Sequence, residues 1–142
     1  MIKKIFAPAS NSWSANFALL ILRLWIGLSM LLNHGADKLR HFSEVAPNFP
    51  DPLGIGHSAS LALAVFAEFF ASLLLLLGLV TRWSALVLAI DMAVAFVGVH
   101  KGALSGQGNG ELAFLYLMGY VTLMLAGPGC FSADKLLFGK AK

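Results

Sequence analysis

Long apolar runs separated by short polar links dominate the chain from Asn16 onward. A helix needs ~20 mostly apolar residues to cross ~30 Å of hydrocarbon. Four windows reach or approach that length, at about residues 16–34, 58–80, 83–100 and 111–126. Asn16 is placed to cap the first. The fourth stops at Gly127-Pro128-Gly129, where proline removes a donor and glycine frees the backbone. The second and third windows are separated only by Thr81-Arg82, which forces a tight hairpin. The opposite links are longer. Residues 35–57 contain Pro47, Pro50 and Pro52 with Phe42 and Phe49, and predict a short helix followed by an extended or re-entrant piece lying on the bundle. Residues 101–110, KGALSGQGNG, are glycine-rich and read as a loop. The pattern therefore predicts an all-α fold: one domain over 1–142, an antiparallel bundle of four transmembrane helices with a partly structured outward loop between helices 1 and 2. No internal repeat stands out.

Composition strengthens the membrane reading. Hydrophobic residues make up 58% of the 142 residues and charged residues 12%. Soluble domains carry roughly 25% charged residues, so this chain has too few to coat a water-facing surface. The mean hydropathy of +0.80 agrees. A net charge of +3 would suit nucleic acid, but the basic residues are scattered and form no stripe, so no nucleic-acid partner is expected. They fit membrane orientation instead. Lys3, Lys4, Arg82, Lys135, Lys140 and Lys142 fall on one side, and Lys38, Arg40 and Lys101 on the other. That bias predicts both termini in the cytoplasm and the two long links outside. Trp13 and Trp83 fall at the same cytoplasmic interface. The opening MIKKIFAPASNSWSA is basic like a leader. Its apolar run begins only near Phe17, contains Arg23 and lacks a clear small-residue cleavage site, so it reads as a retained first span. The single cysteine, Cys130, rules out an intrachain disulfide or a CxxC pair.

The few ionisable residues within the windows carry the candidate chemistry. A helix turns about 100° per residue. That angle places Arg23, Gly27, Met30 and His34 on one face of the first helix, with Lys38 extending the stripe if the helix continues. Gly27 on this face would admit another backbone. The second helix groups Glu68 with Ser72. The third groups Asp91 with Ser84, Ala95 and Gly98, and the fourth groups Glu111 with Met118 and Thr122. These faces are expected to point inward. Arg23, Asp91 and Glu68 fall at roughly 10, 12 and 18 Å from the cytoplasmic side at the helical rise, so they are expected to meet in one inner layer. An unpaired charge at mid-bilayer costs at least ~2.5–3.5 kcal/mol, and pairing Arg23 with one or both carboxylates would relieve it. Such a cluster either fixes helix register or handles protons or a ligand.

A second layer lies at the outward helix ends, where His34, His57, His100 and Glu111 fall near Lys38 and Lys101. Imidazoles and a carboxylate bind metals, hydrogen-bond a small polar molecule or shuttle protons. No two of these residues have a ligand spacing such as HxxxH, so no metal site is assigned. Interfacial placement of histidines is the bland alternative.

Several stretches match a known pattern. The segment RLWIGLSMLLNHGADKL at 23–39 has an arginine, a glycine and a His-Gly pair followed by Lys-Leu. Glu68 precedes the leucine-rich LLLLLGLVTRW. ELAFLYL starts at 111 and GPGCFSAD at 127. In this order they resemble the signatures of the DoxX family over nearly the whole chain. The resemblance implies a four-helix bacterial inner-membrane protein, related to the small subunit of thiosulfate:quinone oxidoreductase and to membrane oxidoreductase complexes of redox stress. By matching position, Arg23, His34, Lys38, Glu68 and Glu111 carry over as the family's polar core. Asp91 does not belong to that pattern and rests on the interior-face argument alone.

Together these readings predict a membrane subunit that supports electron transfer with a quinone-like ligand near the outward polar layer. Glu68, Glu111 and His34 are expected to carry the proton chemistry. Arg23, His34, Lys38, Asp91 and His100 are expected to hold the ligand. A redox protein partner is implied, because the chain has no cysteine set for an iron–sulfur cluster and no nucleotide fingerprint. Pairing with a second copy is compatible with so small a bundle. Two alternatives stand beside this reading. One is a scaffold or small-solute carrier in which the arginine–carboxylate cluster is structural. The other is a metal-handling protein.

Overall fold

The structure, a computed structural model, describes residues 13–138. Among them every regular element is helical. Helix α1 runs Trp13–Arg40, α2 is the short Phe42–Val45, α3 runs His57–Leu77, α4 runs Thr81–Val99, α5 runs Glu111–Ala126 and α6 runs Ala133–Phe138. Three of these, α1, α3 and α4, are long and apolar enough to cross a membrane, and α5 is a shorter apolar helix. Their outer faces carry Trp25, Leu32, Phe66, Ile90, Val97, Leu115 and Leu125, all exposed. In a membrane protein that surface faces acyl chains rather than water.

The fourth predicted window agrees with α5, and the others shift at their ends. α1 starts at Trp13 and continues past His34 to Arg40. Asn16 thus lies inside α1 rather than capping it, and its Oδ1 accepts a hydrogen bond from Cys130 N at 2.7 Å. The first sequence window ends at about His34, one residue before Gly35. Here the chain takes a π turn over Leu31–Gly35 and stays helical, because Gly35 sits against the backbone of α3. A Cβ at this position would overlap the Glu68 carbonyl. Gly27, the glycine expected to allow close approach, meets only the Leu76 side chain at 3.1 Å from an ideal Cβ.

The α3–α4 hairpin also turns earlier than the spacing implied. Gly78, left-handed at φ 68°, ends α3, with Leu79 N bonded to Leu74 O at 3.0 Å in a Schellman arrangement. Thr81 and Arg82 form the first turn of α4. The core between the long helices holds Met30, Leu75, Leu88, Tyr120 and Leu123, each essentially inaccessible. The polar residues did not mark the inner face of α5. Glu111, Met118 and Thr122 look outward, and Ala113, Tyr116, Tyr120 and Leu123 are buried. Thr122 satisfies its hydroxyl on Met118 O of its own helix at 2.8 Å, so it needs no interior partner.

The link between α1 and α3 is structured throughout. α2 leads into a 3-10 turn, Ala46–Asn48, and then an extended piece. Phe42, Val45, Phe49 and Phe69 pack around Ala46, Leu61 and Val65. Asp51 accepts hydrogen bonds from Ser60 Oγ at 2.7 Å, Gly56 N at 2.8 Å and Ile55 N at 3.0 Å, which knots the loop to the start of α3.

These contacts single out Gly35. Gly35→Ala drives a Cβ into backbone, and overpacking of this kind costs on the order of 1–3 kcal/mol. Thermal unfolding in detergent is expected to show Gly35→Ala well below wild type and Gly27→Ala, where a flexible leucine gives way, close to it. Equal midpoints for the two variants would contradict the assigned contact.

Candidate functional site

The ionisable residues separate into two centres instead of one inner layer. Arg23 does not meet Glu68 or Asp91. Its Nη1 donates to Pro128 O at 2.9 Å and its Nη2 to Phe131 O at 2.5 Å. It lies beside Gly78, at the far end of α3 from Glu68. Ten residues of helix, or ~15 Å, separate Gly78 from Glu68. The GPGCFSAD segment thus folds over this end of the molecule. Its turn leaves carbonyls facing inward, and the guanidinium satisfies two of them. Asp134 completes the latch by accepting from Val80 N at 2.6 Å and Thr81 N at 2.8 Å, which caps the N-terminus of α4.

At the opposite end, Lys38 and Glu68 form the central pair. Lys38 Nζ donates to Glu68 Oε1 at 2.7 Å and Oε2 at 2.5 Å. The Glu68 side chain is 6% exposed and that of Lys38 21%. Three π turns lie at this level: Leu31–Gly35 in α1, Phe66–Ala71 in α3 and Ala95–Val99 in α4. The first two pack on each other at the Gly35–Glu68 contact. A π turn inserts an extra residue and re-aims the side chains beyond it, and such turns recur at functional sites.

Above and beside the ion pair lies a cavity of about 430 Å³. Lys38, Glu68, Asp91, His100 and Ser60 supply its polar lining, and Phe49, Pro50, Pro52 and Leu53 of the loop form its roof. The rest of the wall is apolar, with Ala64, Ala67 and Ala95 leaving the space open. Asp91 lies within electrostatic reach of Glu68 and Lys38. Its Oδ2 is buried and has no hydrogen-bond partner. His100 Nδ1 lies 2.8 Å from Gly108 O, so that nitrogen carries a proton and Nε2 is left for another partner.

Of the sequence-predicted residues, the cavity gathers Lys38, Glu68, Asp91 and His100. His34 stands behind the ion pair on the α1–α5 side, edge-on to Tyr116 at 5.9 Å, and within electrostatic reach of Glu68 and Lys38. Glu111 is exposed at the start of α5 and does not line the cavity. His57 bonds Phe49 O at 2.6 Å through Nδ1 and helps hold the roof. Among the described residues no three His, Cys, Asp or Glu side chains converge as metal ligands. The sequence reading missed Tyr116, whose hydroxyl meets Ser29 Oγ at 2.6 Å, and Tyr120, stacked on it at 6.0 Å. Two tyrosines one turn apart in an apolar helix were the available signal.

A family model described as DoxX matches residues 18–101. Similar proteins include an uncharacterized protein of Haemophilus influenzae, 31% identical over 132 residues, covering 87% of this chain and 93% of that one. A second uncharacterized protein of the same organism is 32% identical over 128 residues, covering 84% and 83%. An uncharacterized membrane protein of Mycobacterium tuberculosis is 29% identical over 137 residues, covering 87% and 83%. No solved structure matches.

The roof responds to pH through Asp51. The Ser60 hydroxyl foremost, then the Gly56 amide, holds this carboxyl below its ordinary 3.8. A carboxylate with a depressed folded pKa stabilises above its unfolded pKa, and the contribution is lost as pH falls through the folded value. Amide exchange at Ile55 and Gly56, corrected for intrinsic rates, is expected to lose protection as pH drops below 3.8. Asp51→Asn is expected to abolish that pH step. Protection unchanged down to the unfolding pH would contradict this role.

Proposed function

The chain belongs to the DoxX family of membrane proteins, and on that premise we propose that it binds a quinone-like ligand in the Lys38–Glu68–Asp91 pocket as a subunit of a membrane redox system. In this reading α5 joins α1, α3 and α4 as a fourth span of an antiparallel bundle in the bacterial inner membrane, with both termini cytoplasmic. The pocket then lies toward the outward side, and a redox protein partner supplies or removes electrons.

The carrying observation is the cavity itself. Its ~430 Å³ falls in the range of small-molecule sites, which are mostly apolar with a few placed polar groups. A flat ring fits between the apolar walls. The unpartnered Oδ2 of Asp91 accepts from a ring hydroxyl, or Asp91 donates its own proton to a ring carbonyl. His100, tethered through its Nδ1 proton, offers Nε2 as an acceptor to a ring hydroxyl at the roof side. Glu68 holds Lys38 in place and sets the local field, and its carboxylate and that of Asp91 are the groups able to take or give protons as the ring oxygens change state. A quinone supplies the electron-carrying chemistry when bound.

The scaffold reading is favoured at one place only. Arg23 directs both Nη groups at backbone carbonyls of the Pro128–Phe131 turn and does not line the Lys38–Glu68–Asp91 pocket, so its role is to hold the latch.

Solvent extraction and mass spectrometry of the purified protein test the proposal. Wild type and Glu111→Gln are expected to carry a quinone. Asp91→Leu is expected to lose most of it while remaining folded in detergent, and Glu68→Gln to lose it together with stability. A wild-type extract free of quinone, or equal retention in all four proteins, would overturn the assignment.

A further inference from the structure

The cavity lies between a pinned loop and a wall of apolar side chains set deep along the helices. Its roof is pinned from several directions. Asp51 ties the loop to Ser60 and to the Ile55 and Gly56 amides, and His57 holds Phe49 O. Pro52 presses on α4 at Gly98, where an added Cβ would come within 2.7 Å of the proline Cβ. Leu53 of the roof is itself 57% exposed, so the lower wall is told apart by its depth along the helices. Leu63 and Phe66 of α3 and Ile90 of α4 line the cavity, yet each is more than half exposed, at 53%, 55% and 56%. Leu63 lies six residues along α3 from His57, and Ile90 nine residues along α4 from Val99. At the helical rise these are depths of ~9 and ~14 Å below the helix ends. Exposure at that depth is exposure to hydrocarbon.

We propose that the pocket is loaded from within the bilayer, through an apolar portal between α3 and α4 framed by Leu63, Phe66 and Ile90. The ligand is an amphiphile that seats an uncharged, oxygen-bearing headgroup near Asp91 and leaves its tail in the portal. The inference rests on the ligand-pocket reading above and adds the route and the tail. The charge of the pocket sets the headgroup. Lys38 is the one Lys or Arg among the described lining residues, and Glu68 already holds it through both carboxylate oxygens. Asp91 adds a further carboxyl. An anionic phosphate finds no free cation there, whereas a hydroxyl donates to the Asp91 carboxylate or His100 Nε2 and a carbonyl accepts a proton held on Asp91.

The test uses the full chain in phosphatidylcholine nanodiscs with a decyl-tailed benzoquinone carrying a diazirine at the tail end. After illumination, adducts are mapped by peptide mass spectrometry, and only those removed by excess unlabelled decyl-benzoquinone are counted. Competed adducts are expected around Leu63, Phe66 and Ile90. Ile90→Trp, a lipid-facing change, is expected to slow labelling several-fold, and Ile90→Val to leave it unchanged. Competed adducts confined to Phe49–Leu53, or a wild-type rate in Ile90→Trp, would overturn the bilayer route and leave the pocket standing. No competed adduct anywhere would overturn the pocket reading and the portal with it.

Discussion

A charge within a bilayer must find an opposite charge or leave, and Lys38 bonded to Glu68 is how this chain meets that constraint. Neither group is near the other in sequence. Lys38 reaches Glu68 only because α1 continues through a π turn past His34. Helix α3 comes close enough only because Gly35 presents no side chain to the Glu68 backbone. Removing either partner leaves an uncompensated buried charge, which typically costs ~3–5 kcal/mol. The close helix contact, the irregular helix turns and the polar end of the cavity are thus one arrangement seen from three sides.

The remaining polar groups follow a different logic at the other end. Arg23 and Asp134 form few contacts with charged groups and many with backbone. One satisfies carbonyls of the Pro128–Phe131 turn, and the other caps the amides that open α4. Both solve the problem that irregular backbone at membrane depth must be satisfied by protein. A latch of this kind holds three chain segments together. The Lys38–Glu68 centre differs. It satisfies one ion pair and leaves Asp91 Oδ2 without a hydrogen-bond partner in the wall of a cavity lined in part by alanines.

Much of this was legible in the sequence, for reasons that also explain what was not. Hydropathy located α5 to the residue and α3 and α4 to within three residues, and it ended α1 six residues short at His34, because lipid demands long uninterrupted apolar runs and the end of α1 is polar. Helical periodicity aligned Arg23, Gly27 and Met30, all of them buried, and extended the stripe to Lys38. Periodicity says which face a residue occupies and not what stands opposite. Arg23 was therefore matched to carboxylates when its partners are carbonyls more than a hundred residues away. The contact at Gly35 went unread because close backbone approach has no local signature. Glu111 read as interior because a charge in an apolar helix suggests burial, yet at the first position of α5 it reaches out of the bundle. The roof over the cavity depends on Asp51 meeting Ser60, and loop contacts of this kind carry no period at all.

The central claim is that Lys38 and Glu68 act as a single buried unit on which the pocket is built. A double-mutant cycle of Lys38→Met, Glu68→Met and the double variant, followed by unfolding in detergent, measures this directly. The account predicts severe losses in each single variant and a double variant that recovers much of the deficit, with a coupling energy of about 2 kcal/mol or more. Losses that add to within about 0.5 kcal/mol would contradict it, since that is the behaviour of independent sites.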